Sequence, residues 1–92
     1  QITRTRTSGR FDRDFKSLPT DVKPEVEKAL RDLLCDPVPS RRRLHRLHGH
    51  RPPIYVIDVF SNHSWQITFR LDGSEAVLLR VARHSTIDDT PR

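Results

Sequence analysis

The chain has 92 residues, enough for one domain, with 34% hydrophobic residues against 32% charged. Seventeen Lys and Arg face twelve Asp and Glu for a formal charge of +5, and fourteen of those cations are Arg, whose planar fork binds phosphate bidentately and stacks on bases. The balance points to a polyanionic partner, while the lone Cys35 excludes an internal disulfide framework and a Cys-based zinc site.

No apolar run approaches the roughly 20 residues of a membrane span, and no charged-then-apolar signal segment opens the sequence. A cytoplasmic protein without a membrane partner is expected, and Gln1 suggests a trimmed start. Residues 2 to 7, Ile-Thr-Arg-Thr-Arg-Thr, alternate β-branched and long polar side chains and predict an edge strand. Phe11, Phe15 and Leu18 then recur at helical spacing, a short amphipathic helix entered through Ser8-Gly9 and ended at Leu18-Pro19. A longer helix carries Val22, Val26, Ala29, Leu30, Leu33 and Leu34 on one side and Glu25, Glu27, Lys28, Arg31 and Asp32 on the other. Thr20 or Asp21 is the expected cap, Pro24 falls in the first turn, and Asp36-Pro37 stops the helix.

Residues 37 to 53 form a long connection with five Arg and three His, and a connection of that length is more often functional than a mere tether. Three β runs follow, at residues 54 to 60, 65 to 71 and 75 to 82. The last hairpin is expected to close through a three-residue loop. That register sets Trp65, Ile67 and Phe69 against Val77, Leu79 and Val81, and turns Arg70 and Arg80 to the face away from the helices. The tail from Ile87 to Arg92 reads as frayed. The expected fold is α+β, a single domain of order β-α-α-β-β-β, with a largely antiparallel sheet and two helices on one face.

The final strand delivers Arg80, Arg83 and His84 within five residues, a rigid platform for cationic and proton-active groups of the kind phosphodiester chemistry uses. His45, His48 and His50 lack a Cys or Asp-rich partner to complete a four-ligand set, so neither a metal nor another cofactor is expected. Trp65 shares the parity of Ile67 and Phe69 and is expected in the core.

The run Phe11-Asp12-Arg13-Asp14-Phe15-Lys16-Ser17-Leu18-Pro19 before the long helix is followed by Leu47-His48-Gly49, the strand from Trp65 to Arg70, and Arg80-Val81-Ala82-Arg83-His84-Ser85. In this order they resemble the RelE/ParE superfamily of bacterial toxin components, over almost the whole of a single toxin domain, residues 1 to 92. The resemblance implies a toxin held by a cognate antitoxin in a hetero-oligomer. Some members of the superfamily cleave messenger RNA in the ribosomal decoding site; ParE-type members poison DNA gyrase without cutting RNA. Within the cleaving group the chain looks most like the YafQ branch, where an Arg-x-x-x-His stretch after the last strand supplies a catalytic His, matched here by Arg80 to His84. His45, before Leu47-His48-Gly49, matches a second family His, and His63 stands where that branch has a His just before the Trp strand. Departures are also present: Ile87-Asp88-Asp89 occupies the place of a family aromatic, Asp58 lies near a family Lys, and Gln66 lies near a family Arg for which Arg70 or Arg80 would substitute.

Cleaving RNA through its own 2′-hydroxyl needs a base, a proton donor for the leaving 5′-oxygen, and fixed positive charge around the phosphorus. Histidine fits both proton roles because its ordinary pKa lies near about 6.5. The resemblance implies His84 as one proton-transfer group, His45 or Asp58 as its counterpart, and Arg80 as the holder of the non-bridging oxygens. Asp58 reads equally well as an ion-pair partner orienting Arg70 or Arg80. Arg41, Arg42, Arg43, Arg46, Arg70 and Arg83 are the candidate RNA-binding groups. A gyrase poison and a plain basic binding module are the competing functions. For the antitoxin, the edge strand at residues 2 to 7 and the groove between the helices would accept a partner strand or helix.

Overall fold

Strand β1 (Arg4–Thr7) opens the computed structural model, which describes residues 1–92, and runs through Ser8 into helix α1 (Gly9–Lys16). Helix α2 (Lys23–Leu33) follows, then a 3-10 turn at Ser40–Arg42 and strands β2 (His45–Leu47), β3 (Ile54–Asp58), β4 (Trp65–Asp72) and β5 (Glu75–Arg83). Helix α3 (His84–Asp89) begins where β5 ends. The sheet order is β1-β5-β4-β3-β2, antiparallel except for the parallel β1–β5 pair. The expected α+β order is therefore present, with two elements added: β2 inside the basic connection, and α3 in place of the start of the expected frayed tail.

Helices α1 and α2 cover one face. Phe11, Leu18, Val22, Val26, Ala29 and Leu33 pack with Ile57, Ile67, Phe69, Leu78 and Val81 in one buried cluster, the apolar stripe of each helix meeting one parity of the strands. Ile54, Val56, Val77, Ala82 and Ile87 are also buried but lie outside that cluster. Pairing parity puts the strand members of this second set on the opposite face, where the C-terminal segment lies: Thr68 Oγ1 donates to the Pro91 carbonyl and Arg10 to that of Arg92. The sheet is thus buried on both sides.

The β4–β5 register corrects the expected one. Asp72 faces Glu75 across a two-residue turn, Phe69 faces Leu78, and the register then slips so that Thr68 faces Arg80 and Ile67 faces Val81, leaving Leu79 unmatched as a bulge. The slip keeps apolar pairs, Phe69 with Leu78 and Ile67 with Val81, on the helix face on both sides of the bulge. Its anchor is distant in sequence. Ser8, the N-cap of α1, accepts from Phe11 N–H at 3.1 Å and donates to the Leu79 carbonyl at 3.2 Å, while its own N–H bonds the Leu78 carbonyl. Ser8→Ala is expected to cost about 1–2 kcal/mol, the upper range of a lost cap, read as a lower urea midpoint; an unchanged midpoint would discount the anchor.

The cap expected for α2 is also corrected. Val22 occupies the N-cap with no side-chain bond, and neither Thr20 nor Asp21 serves; the Pro19 carbonyl accepts from Val22 and Lys23 instead. On β1, Arg4 and Arg6 both donate to Glu75, and those bonds hold the Glu75 carboxyl below its ordinary range. The polar face of this strand is therefore engaged within the sheet.

Candidate active site

The ends of β3, β4 and β5 meet at one edge of the sheet floor, and a buried carboxylate organises them. Asp58 closes β3 with 1% of its side chain exposed, directly across from Gln66, which in turn faces Ala82. Its Oδ1 accepts from Gln66 Nε2 at 2.9 Å and Arg43 Nη2 at 3.3 Å, and its Oδ2 meets Arg43 Nε and His63 Nδ1, each at 2.5 Å. Burial opposes ionisation of Asp58, but the hydrogen bonds from Arg43, Gln66 and His63 outweigh it and hold the carboxyl below its ordinary value. The hydrogen bond to Asp58 in turn raises the pKa of Arg43.

The backbone reaches this carboxylate under strain. Arg43 and His63 are the two non-glycine residues with positive φ, at 47° and 63°, and both point their side chains at Asp58. Such left-handed conformations cost on the order of 1 kcal/mol or more and persist where the surroundings over-determine them, often at functional sites. Arg42 supplies part of that constraint. With 8% of the residue exposed, it donates to the Val59 carbonyl at 2.8 Å and to Asp32 of α2 at 2.9 Å. It is therefore corrected from a phosphate-binding candidate to a clamp that fixes the basic turn between α2 and β3.

The other candidates divide. His45 lies one strand out from β3, exposed, with Nδ1 at 2.5 Å from the Arg43 carbonyl, so Arg43 links it to the Asp58 group. The backbone N–H of His84 donates to the Ser64 carbonyl beside His63, and its Nε2 lies 3.0 Å from Asp88 Oδ2. Structure thus brings His45, His63 and His84 to the same end of the molecule. Arg80 is engaged elsewhere: Nε and Nη2 grip Asp14 at 2.8 and 3.0 Å, and Nη1 donates to Thr90, with none of the other candidates bonded to it. Arg41 pairs with Asp32, Arg46 is exposed on β2, Arg70 is half-buried without a protein acceptor, and Arg83 stacks over Trp65. Trp65 is half-buried, packed against the core.

Sequence reasoning gave Arg43 no carboxylate partner and Gln66 no role. The available signal was Asp58 itself, an acidic group ending an apolar strand five residues before His63. A pH consequence follows. Because the folded pKa of Asp58 is depressed, its ionised form adds stability above the ordinary carboxylate value of about 3.9, and that stability is lost as pH falls below it toward the folded value. Urea unfolding between pH 6 and pH 2 is expected to show a shallower acid limb in Asp58→Asn; an identical limb would contradict the assignment.

No family model and no curated protein matches the sequence. Among solved structures, YafQ from E. coli strain BL21(DE3) superposes with a TM-score of 0.75 at 17% identity, covering 90% of this chain and 94% of that one. RelE in the archaeal RelE–RelB complex from Pyrococcus horikoshii OT3 gives 0.68 at 14% identity, covering 90% and 96%. YafQ in the E. coli DinJ–YafQ toxin-antitoxin complex gives 0.65 at 17%, covering 94% and 98%. Matched over 90% of its length to the YafQ and RelE structures, this chain has the RelE/YafQ-type toxin fold.

Proposed function

We propose that this chain is the toxin of a toxin–antitoxin pair and acts as a metal-independent endoribonuclease on messenger RNA at the ribosome. The observation that carries the reading is the Asp58–His63 pair. An ionised Asp58 accepts from Nδ1–H of His63 and so leaves Nε2, which has no protein partner, as the basic nitrogen of a side chain 43% exposed. In the proposed step, Nε2 takes the proton of an RNA 2′-hydroxyl, and the 2′-oxygen bonds to the adjacent phosphorus. The bond from phosphorus to the 5′-oxygen breaks, leaving a 2′,3′-cyclic phosphate. His84 gives the proton to the departing oxygen. Arg43, 45% exposed and with Nη1 free of any protein acceptor, faces the non-bridging oxygens. His45 stands beside Arg43 as a further proton-active group, and Asp58 acts as a positioning residue rather than as a base.

The antitoxin part rests on the fold and on charge. Solved relatives include RelE with RelB and YafQ with DinJ, and a surface of net charge +5 favours an acidic partner. The test is to induce the chain, His63→Ala and His84→Ala in a bacterial host, map transcript ends and follow DNA supercoiling. New cuts within coding sequence, bearing cyclic-phosphate or 3′-phosphate ends and absent from the variants, are expected. Growth arrest with intact transcripts and altered supercoiling would instead support the gyrase-poison reading.

A further inference from the structure

A cleft of about 300 Å³ lies between the C-terminal end of α1 and the last residues of β5, with Asp14, Ser17, Trp65, Arg80, Arg83 and Thr86 among its walls. It is distinct from the Asp58 group, yet Arg83 is the chain neighbour of His84, so the two places adjoin. The volume is at the lower end of small-molecule sites, enough for one ring system and its sugar.

Two features of the walls select the occupant. Arg83 lies over the Trp65 ring at 4.9 Å and is exposed; its guanidinium has no hydrogen bond or ion pair within the protein, so a flat cationic surface is presented on an aromatic base. On the other wall Asp14 and Arg80 neutralise each other at 2.8 Å, which removes the repulsion that a carboxylate would otherwise exert on a phosphate chain. Acceptor capacity remains there: Asp14 Oδ1 takes only the Arg80 Nη2 bond at 3.0 Å, and the Ser17 hydroxyl, which donates to the Arg13 carbonyl, keeps its lone pairs. A stacking surface facing hydrogen-bond acceptors fits a planar ring that carries N–H groups on its edge.

We propose that this cleft takes one nucleobase of the RNA, its face against the Arg83–Trp65 stack and its N–H edge toward Asp14 and Ser17. The inference deepens the RNA-cleaving reading by adding a base-holding site next to the proton-transfer groups, so the nucleotide beside the scissile bond is gripped through its ring as well as its phosphate.

Trp65 is the single Trp of the chain and stands in the wall of this cleft, so its fluorescence reports on binding there. Titration with nucleoside 5′-monophosphates is expected to quench it saturably, with ribose 5-phosphate, the same anion lacking the ring, binding at least about tenfold more weakly. Ser17→Leu, which fills the cleft from an exposed helix end, is expected to abolish the quench, and Arg83→Ala to weaken binding about tenfold. An equal response to ribose 5-phosphate, no quench at all, or a quench unchanged in both variants would overturn the proposal. These nucleotides contain no scissile linkage, so the result is independent of cutting: base-selective quenching in a chain that leaves transcripts intact would reject the nuclease reading alone, and cutting without quenching would reject the cleft alone.

Discussion

Replacing Arg80 by alanine is expected to lower the unfolding free energy by about 3–5 kcal/mol, a large share of the stability of a small domain. The side chains of Arg80 and Asp14 are 9% and 16% exposed, and the guanidinium grips both carboxylate oxygens. Asp14 also accepts from Val81 N–H at 3.2 Å, because β1 ends opposite Leu78 and leaves the next stretch of β5 without a strand neighbour on that side. Arg80 in turn holds the C-terminal segment through Thr90. Truncation therefore strands a shielded carboxylate and releases the cover of the second sheet face together. The double variant Asp14→Asn with Arg80→Met keeps an acceptor for Val81 and removes both charges, and is expected to recover most of the loss. Urea unfolding measures each form. Full stability in Arg80→Ala, accompanied by lost RNA cleavage, would return Arg80 to the phosphate-holding role that family resemblance implies.

Asp58→Asn is expected to reduce RNA cleavage by about 10²–10⁴-fold while the fold survives, the range a general base contributes. The amide is nearly isosteric, and its neighbours Arg43 and His63 are each close to half exposed, so water takes up much of what they lose. Chemistry suffers more than packing. A neutral side chain no longer favours the proton on Nδ1 of His63, and an amide N–H turned toward that nitrogen would force the proton onto Nε2, removing the base. Arg43 simultaneously loses the anion that fixes its fork. Rates with purified protein, ribosomes and messenger RNA, read beside circular dichroism, separate the two effects; a fall of only a few-fold in a folded variant would exclude His63 as the oriented base.

How much of this was legible beforehand depends on sequence distance. The apolar stripe from Val22 to Leu33 and the alternation from Trp65 to Leu71 are local patterns, and both elements formed where they were read. The bulge at Leu79 depends on Ser8, 71 residues earlier, and the Arg80–Asp14 pair joins positions 66 apart, contacts that no local window contains. Strand β2 is three residues long and exists because β3 offers it an edge. Helix α3, six residues long, carries almost no propensity signal; burial of Ile87 holds it. At the candidate site, residue types were legible and their roles were not. The sequence offers Asp58 equally as a proton-transfer group and as an ion-pair partner of Arg70 or Arg80, whereas backbone strain at Arg43 and His63 delivers different partners.

The parallel pairing of β1 with β5 has a bearing on biosynthesis. Arg4 must wait for Glu75, 71 positions later, so β1 is made long before its partner strand, and closure is a long-range, comparatively slow event. A nascent polypeptide stalled anywhere before β5 emerges carries a dangling leading segment and no completed platform. Under the proposed function, competence to act on RNA would then arrive in a single step, only once β5 has been made and β1 has closed on it.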